Sequence, residues 1–91
     1  MTPALVLRPA ARAALFQARR EFGSGFTDES LQVFDRVQAL PRQFAIVYAD
    51  IRRALIRRYR FAVFFRIDDA RNEIVVLRVL PQRIDPTKWP K

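Results

Sequence analysis

The sequence predicts an α+β domain: an N-terminal strand, a helical hairpin, then an antiparallel sheet (β-α-α-β-β-β overall) and an irregular C-terminal tail. Three observations predict it. Between residues 60 and 67, Phe61, Val63, Phe65 and Ile67 alternate with Arg60, Ala62, Phe64 and Arg66, the period of a strand with one buried face. Between residues 9 and 40 the apolar side chains instead recur at three- and four-residue steps, the period of helices covering a sheet. The only two glycines, Gly23 and Gly25, fall between those two helical stretches.

Ala4 to Arg8 is short and aliphatic, as a first strand should be. Pro9 then opens a helix, since its fixed φ and missing N–H suit the first helical turn. Ala11, Ala14, Leu15, Ala18 and Phe22 form its apolar stripe, with Arg12, Arg19 and Arg20 on the other side. Gly23 and Gly25 close it. Thr27 is the expected N-cap of the second helix, with Asp28 and Glu29 at the positive end of its dipole, Leu31, Phe34, Val37 and Leu40 as its stripe, and Pro41 as its stop. Phe22, Phe26 and Phe34 read as core. Phe44 to Tyr48 reads as a linker into the sheet.

The sheet spans residues 50–80. In its first strand, Ile51 to Arg58, arginines fall on both faces. If Ala54 and Ile56 point to the core, Arg53 and Arg57 join Arg60, Arg66 and Arg78 on the open face. Asp68 to Asn72 is the expected hairpin turn, because Asp and Asn satisfy nearby backbone donors. In the last strand Val75, Leu77 and Val79 are expected to share the buried face, with Ile74, Val76, Arg78 and Leu80 on the other. The tail from Pro81 to Lys91 is polar and proline-containing.

A chain of 91 residues, 51% hydrophobic, supports a single domain over residues 1–91 with one core. There is no cysteine and no histidine, which removes Cys/His zinc sites, thiol nucleophiles and the usual imidazole base; no metal or cofactor is expected. The formal net charge is +8, and residues 50–91 hold eleven basic against five acidic side chains, so the sheet half carries +6 of it. All of the basic residues except Lys88 and Lys91 are arginine, the side chain suited to bidentate contacts with phosphate or carboxylate. Such a face implies a polyanionic partner. No apolar run reaches membrane-spanning length and no signal-like N-terminus is present, so a cytoplasmic location is expected.

With this order in hand, the chain resembles the RelE/ParE superfamily of toxins from bacterial type II toxin–antitoxin systems. The stretch Ile51-Arg-Arg-Ala-Leu-Ile-Arg-Arg-Tyr-Arg-Phe-Ala-Val-Phe-Phe-Arg-Ile67 is similar to the family's "IR…RFPYAIYYRI" strand pair, and Arg83-Ile-Asp-Pro-Thr-Lys-Trp89 to its "RDP..W" ending. Phe22, Gly25, Phe26, Pro41 and Tyr48 also sit where ParE-like members carry matching residues. Two departures bear on activity. The family's frequent His after the last strand is Leu80-Pro81 here, and the usual Pro-Tyr is absent in Phe61-Ala62. In the RelE-type ribosome-dependent ribonucleases an arginine early in that strand contributes to cleavage, and the matching position is Ala62. Their two basic positions on the preceding strand correspond to Arg53 and Leu55. Arg83 falls where those enzymes keep a functional arginine.

The resemblance implies a ParE-like toxin that inhibits growth by binding DNA gyrase and is neutralised, in a hetero-oligomer, by an antitoxin with an acidic C-terminal segment. Arg53, Arg57, Arg60, Arg78, Arg83 and Trp89 are the candidate target- or antitoxin-binding residues, and the antitoxin is expected to cover Arg53, Arg57, Arg60 or Arg78. The alternative is a RelE-like mRNA interferase acting on the ribosome, with Arg83 stabilising the phosphate and Lys88 or Tyr59 moving protons. A third reading is a basic nucleic-acid-binding domain that is not a toxin. Bland roles stand beside these: Arg52 pairing with Asp50 or a helix acid, Trp89 pinning the tail to the core, Tyr48 and Tyr59 packing.

Overall fold

The computed structural model describes residues 2–83 together with Thr87, Trp89 and Pro90. Five strands form one sheet in the order β1-β5-β4-β3-β2, where β1 is Ala4–Leu7, β2 Ile46–Tyr48, β3 Ile51–Ile56, β4 Phe61–Asp68 and β5 Glu73–Pro81. β1 runs parallel to β5, and every other neighbouring pair is antiparallel. The helices α1 (Pro9–Phe22) and α2 (Ser24–Ala39) cover one face. The fold is thus the expected α+β arrangement, with one more strand after the helices than the sequence suggests. Ile46–Tyr48 is a short edge strand, not a linker; at three residues, with a register shift against β3, it is too brief to leave a readable alternation.

The core lies between helices and sheet. Ala11 and Ala18 of α1 and Phe26, Val33, Phe34 and Val37 of α2 meet Ala54, Ile56, Val63, Phe65, Ile74, Val76 and Val79. Ala54 and Ile56 do point inward, so β3 presents Arg53 to the opposite face. β4 keeps its alternation, with Val63 and Phe65 in this core and Ala62 and Phe64 on the open side.

The strand phase in β5 differs from expectation. Phe64 pairs with Arg78 and Phe65 with Val76, so Leu77 is an extra residue in a β-bulge. Before the bulge Ile74 and Val76 face the helices; after it Val79 does, and Leu77, Arg78 and Leu80 share the open face. A run that is apolar at both parities gives no phase, and the bulge breaks the period on top of that.

α2 also starts earlier than Thr27. One residue, Gly23 at φ 83°, separates the helices, and its N–H donates to Arg19 O at 2.7 Å to close α1. That φ is open to glycine and strained for other residues. Gly25 and Thr27 lie inside α2, and the early start carries Phe26 into the core. Leu31 and Leu40, expected in the α2 stripe, are exposed; Val33 and Ser30 take the inward positions, the Ser30 hydroxyl donating to Phe26 O at 2.7 Å. The β4–β5 turn is as expected: Asp68 Oδ1 accepts from Arg71 N–H at 3.1 Å and Asn72 takes φ 51°.

Candidate binding face of the sheet

The face turned away from the helices carries the candidate residues, and pairing register fixes their places. Arg53, Phe64 and Arg78 stand opposite one another on β3, β4 and β5, which sets the two guanidinium stems about two strand spacings, ~10 Å, apart. The next row holds Leu55, Ala62 and Leu80. Ile51, Ala62, Phe64 and Leu80 form a second, smaller apolar cluster on this side, with Val47, Leu55, Leu77 and Trp89 packed on it.

Trp89 reaches back onto this cluster. Its ring centroid is 5.4 Å from that of Phe64, and Arg53 Cζ lies 5.1 Å from the Trp89 centroid, within cation–π range. Trp89 is therefore seated at the centre of the basic face, packed on the smaller apolar cluster.

At one end of the face the chain concentrates cations. A 3₁₀ turn, Arg57–Tyr59, leads to Arg60 at φ 58°, and Arg60 O accepts from Gln82 N–H at 2.8 Å. That backbone bond sets Arg83 beside the Arg57–Arg60 turn, and Arg57, Arg58, Arg60 and Arg83 are all exposed. At the other end, Arg8, Ala49, Asp50, Ile51, Arg66, Leu77 and Pro90 line a cleft of about 490 Å³.

Of the two residues considered for proton transfer, Tyr59 does not join this face. Tyr59 turns to the helix side, in an aromatic cluster with centroids 5.5 Å from Phe22 and 5.3 Å from Phe26. Lys88 lies outside the described residues. Arg52 contacts neither Asp50 nor a helix acid; its Nη1 donates to the Phe44 and Arg42 carbonyls at 2.8 and 3.3 Å, which ties down the approach to β2. Among the described residues the one salt bridge is Arg42 with Asp69, at 2.9 Å and exposed. No cluster of metal-ligating side chains occurs among them, and no helix is long and apolar enough to cross a membrane.

The sequence reading missed a second surface. Leu5 and Leu7 of β1, Leu15 and Phe16 of α1, and Leu31 and Phe34 of α2 line an open groove of about 310 Å³, with Arg12 and Arg19 beside them. Phe16 and Leu31 are 61% and 56% exposed, unusual for large apolar side chains so close together. Phe16 shares a helix face with Arg12, Arg19 and Arg20, and that i, i+4, i+7 pattern was the available signal.

Comparison with family models and with curated proteins finds no match for the sequence. Solved structures do match. The RelBE2 toxin–antitoxin complex from Mycobacterium tuberculosis aligns with TM-score 0.66 at 21% identity over 89% of this chain and 99% of that one. The isolated RelE toxin of E. coli aligns at 0.70 and 15% identity over 93% and 89%. The chromosomal ParDE system from P. aeruginosa aligns at 0.62 and 20% over 88% and 96%. The chain has the RelE/ParE toxin fold along nearly its whole length.

Proposed function

We propose that this chain is the toxin of a type II toxin–antitoxin module, that it acts in the cytoplasm by binding DNA gyrase, and that a cognate antitoxin neutralises it in a hetero-oligomer. One observation carries the choice of binding over cleavage: the centre of the open face is built from Arg53, Phe64, Arg78, Leu55, Ala62 and Leu80, and none of these can take or give a proton at neutral pH. A phosphodiester laid there meets positive charge and apolar surface but no acid–base pair. Cleavage of ribosome-bound mRNA is the second reading, favoured by the Gln82–Arg60 bond that holds Arg83 within an arginine cluster suited to a phosphate.

The antitoxin reading draws on both surfaces. An acidic segment suits Arg53, Arg57, Arg60 and Arg78, and an apolar helix face of the same partner suits the groove of Leu5, Leu7, Phe16 and Leu31. Expression of the chain alone should arrest bacterial growth, and co-expression with the antitoxin encoded beside it should restore growth. Leu31→Glu, and separately Arg53→Glu with Arg78→Glu, should each weaken antitoxin binding by about tenfold or more. Unimpaired growth with soluble protein accumulating would instead favour a basic nucleic-acid-binding domain that is not a toxin.

A further inference from the structure

The outer faces of the two helices carry opposite charges in matching rows. At about 100° per residue, Phe16 lies about 140–160° around α1 from the buried Ala11 and Ala18, so it points away from the sheet. Arg12 and Arg19 flank it, one turn to either side. On α2 the same arithmetic puts Asp28, Leu31 and Asp35 about 120–180° from the buried Val33 and Val37. One helix therefore shows Arg, Phe, Arg along its outer face, and the other shows Asp, Leu, Asp. All six side chains are exposed. None of the four charged groups forms an ion pair among the described residues.

We propose that the chain self-associates through this surface, with α1 of one copy lying antiparallel to α2 of a second copy. Arg12 then meets Asp35, Phe16 meets Leu31, and Arg19 meets Asp28. The spacing is four residues then three along α1, and four then three along α2 read backwards, so both ion pairs and the apolar pair between them form in one register. A two-fold axis makes the contact twice, as in any isologous interface. The charges select the occupant. An acidic segment or an anionic lipid surface laid across both helices would be repelled by Asp28 and Asp35, and a basic one by Arg12 and Arg19. The matching partner carries both signs in reverse order, which the same face of another copy does. The contact is only ~21 Å long and two helices wide, so a weak dimer is expected, with a dissociation constant on the order of 10 µM. Phe16 and Leu31 also border the groove proposed for the antitoxin helix, so self-association and antitoxin binding exclude each other. The inference holds whether gyrase or the ribosome is the target.

Sedimentation equilibrium of the full chain, over a concentration series at physiological salt, tests this. The wild type should show a reversible monomer–dimer equilibrium. Arg12→Glu with Arg19→Glu should weaken it by about tenfold or more. That loss runs against the overall charge, because reversing two charges by two units each lowers the net charge from +8 to +4 and lessens repulsion between copies. Asp28→Arg with Asp35→Arg should weaken it likewise, and Phe16→Ala, which alters no charge, by about tenfold. An equimolar mixture of the two charge variants should recover dimers at close to wild-type affinity. In the mixed dimer one α1–α2 contact is wild-type and the other has both signs reversed, so unlike charges meet in each. Misfolding of a variant cannot produce that recovery. Arg71→Glu, in the β4–β5 turn, should leave the equilibrium unchanged. A wild-type chain that stays monomeric throughout, a dimer that persists in both charge variants, or charge variants that fold but do not pair in the mixture would each overturn the proposal.

Discussion

Gly25 sits on the second residue of α2, and a Cβ built there would lie 2.5 Å from the Tyr59 hydroxyl oxygen and 3.7 Å from Cζ of that ring. Two opposing effects act on Gly25→Ala. Alanine lowers the entropy of the unfolded chain and favours the helix by up to about 1 kcal/mol. Against this, the contact with the hydroxyl cannot be accommodated without moving Tyr59, whose ring is wedged against Phe22 and Phe26 at 5.5 and 5.3 Å. Overpacking of this kind costs about 1–3 kcal/mol, so the substitution should destabilise by about 1 kcal/mol. The sign should reverse in a Tyr59→Phe background. Removing the hydroxyl leaves only the 3.7 Å approach, an ordinary van der Waals contact, and the helix preference then dominates. Tyr59→Phe alone should be nearly neutral, because the hydroxyl is not a buried polar atom lacking a partner and no hydrogen bond from it to a described residue holds the fold together. Urea unfolding of the four proteins closes a double-mutant cycle with an expected coupling of about 1–2 kcal/mol. Equal effects of Gly25→Ala in both backgrounds would refute the contact, and with it the seating of Tyr59 on the helix side.

Two further changes test the core and the turns. Phe65 is fully buried, with Phe44 edge-on at 5.8 Å, so Phe65→Ala should lower stability by about 3–5 kcal/mol and leave little folded protein at 37 °C by circular dichroism. Ala49, exposed at φ 51° in the β2–β3 turn, occupies a conformation that costs a Cβ-bearing residue about 1 kcal/mol; Ala49→Gly should therefore raise the urea midpoint despite its added chain entropy.

The parts of the fold legible in the sequence are those where one periodicity dominates. α1 begins at Pro9 as its ring geometry requires, and β4 alternates because Val63 and Phe65 oppose Ala62 and Phe64 without interruption. β5 was not legible, since Ile74 to Leu77 is apolar throughout and the bulge carries no glycine to mark it. The start of α2 was misread because Thr27-Asp28-Glu29 imitates a cap, whereas a single positive-φ glycine had already reversed the chain. On the open face, Arg53 falls where alternation sets it, whereas Arg78 reaches that face because the bulge at Leu77 resets the phase. Their placement across Phe64, the stacking of Trp89 between tail and sheet, and the Arg8–Arg66 cleft depend on strand order and on the parallel pairing of β1 with β5, which local pattern does not encode.

The most direct test of binding against cleavage places the purified protein beside gyrase with relaxed plasmid and, separately, beside translating ribosomes programmed with a defined mRNA. Supercoiling should be lost with the wild-type protein and lost less with Arg83→Ala and Trp89→Ala, with the mRNA intact. Codon-positioned cuts in the mRNA that vanish in Arg83→Ala, with supercoiling undisturbed, would contradict this and show that this face cleaves RNA despite Ala62.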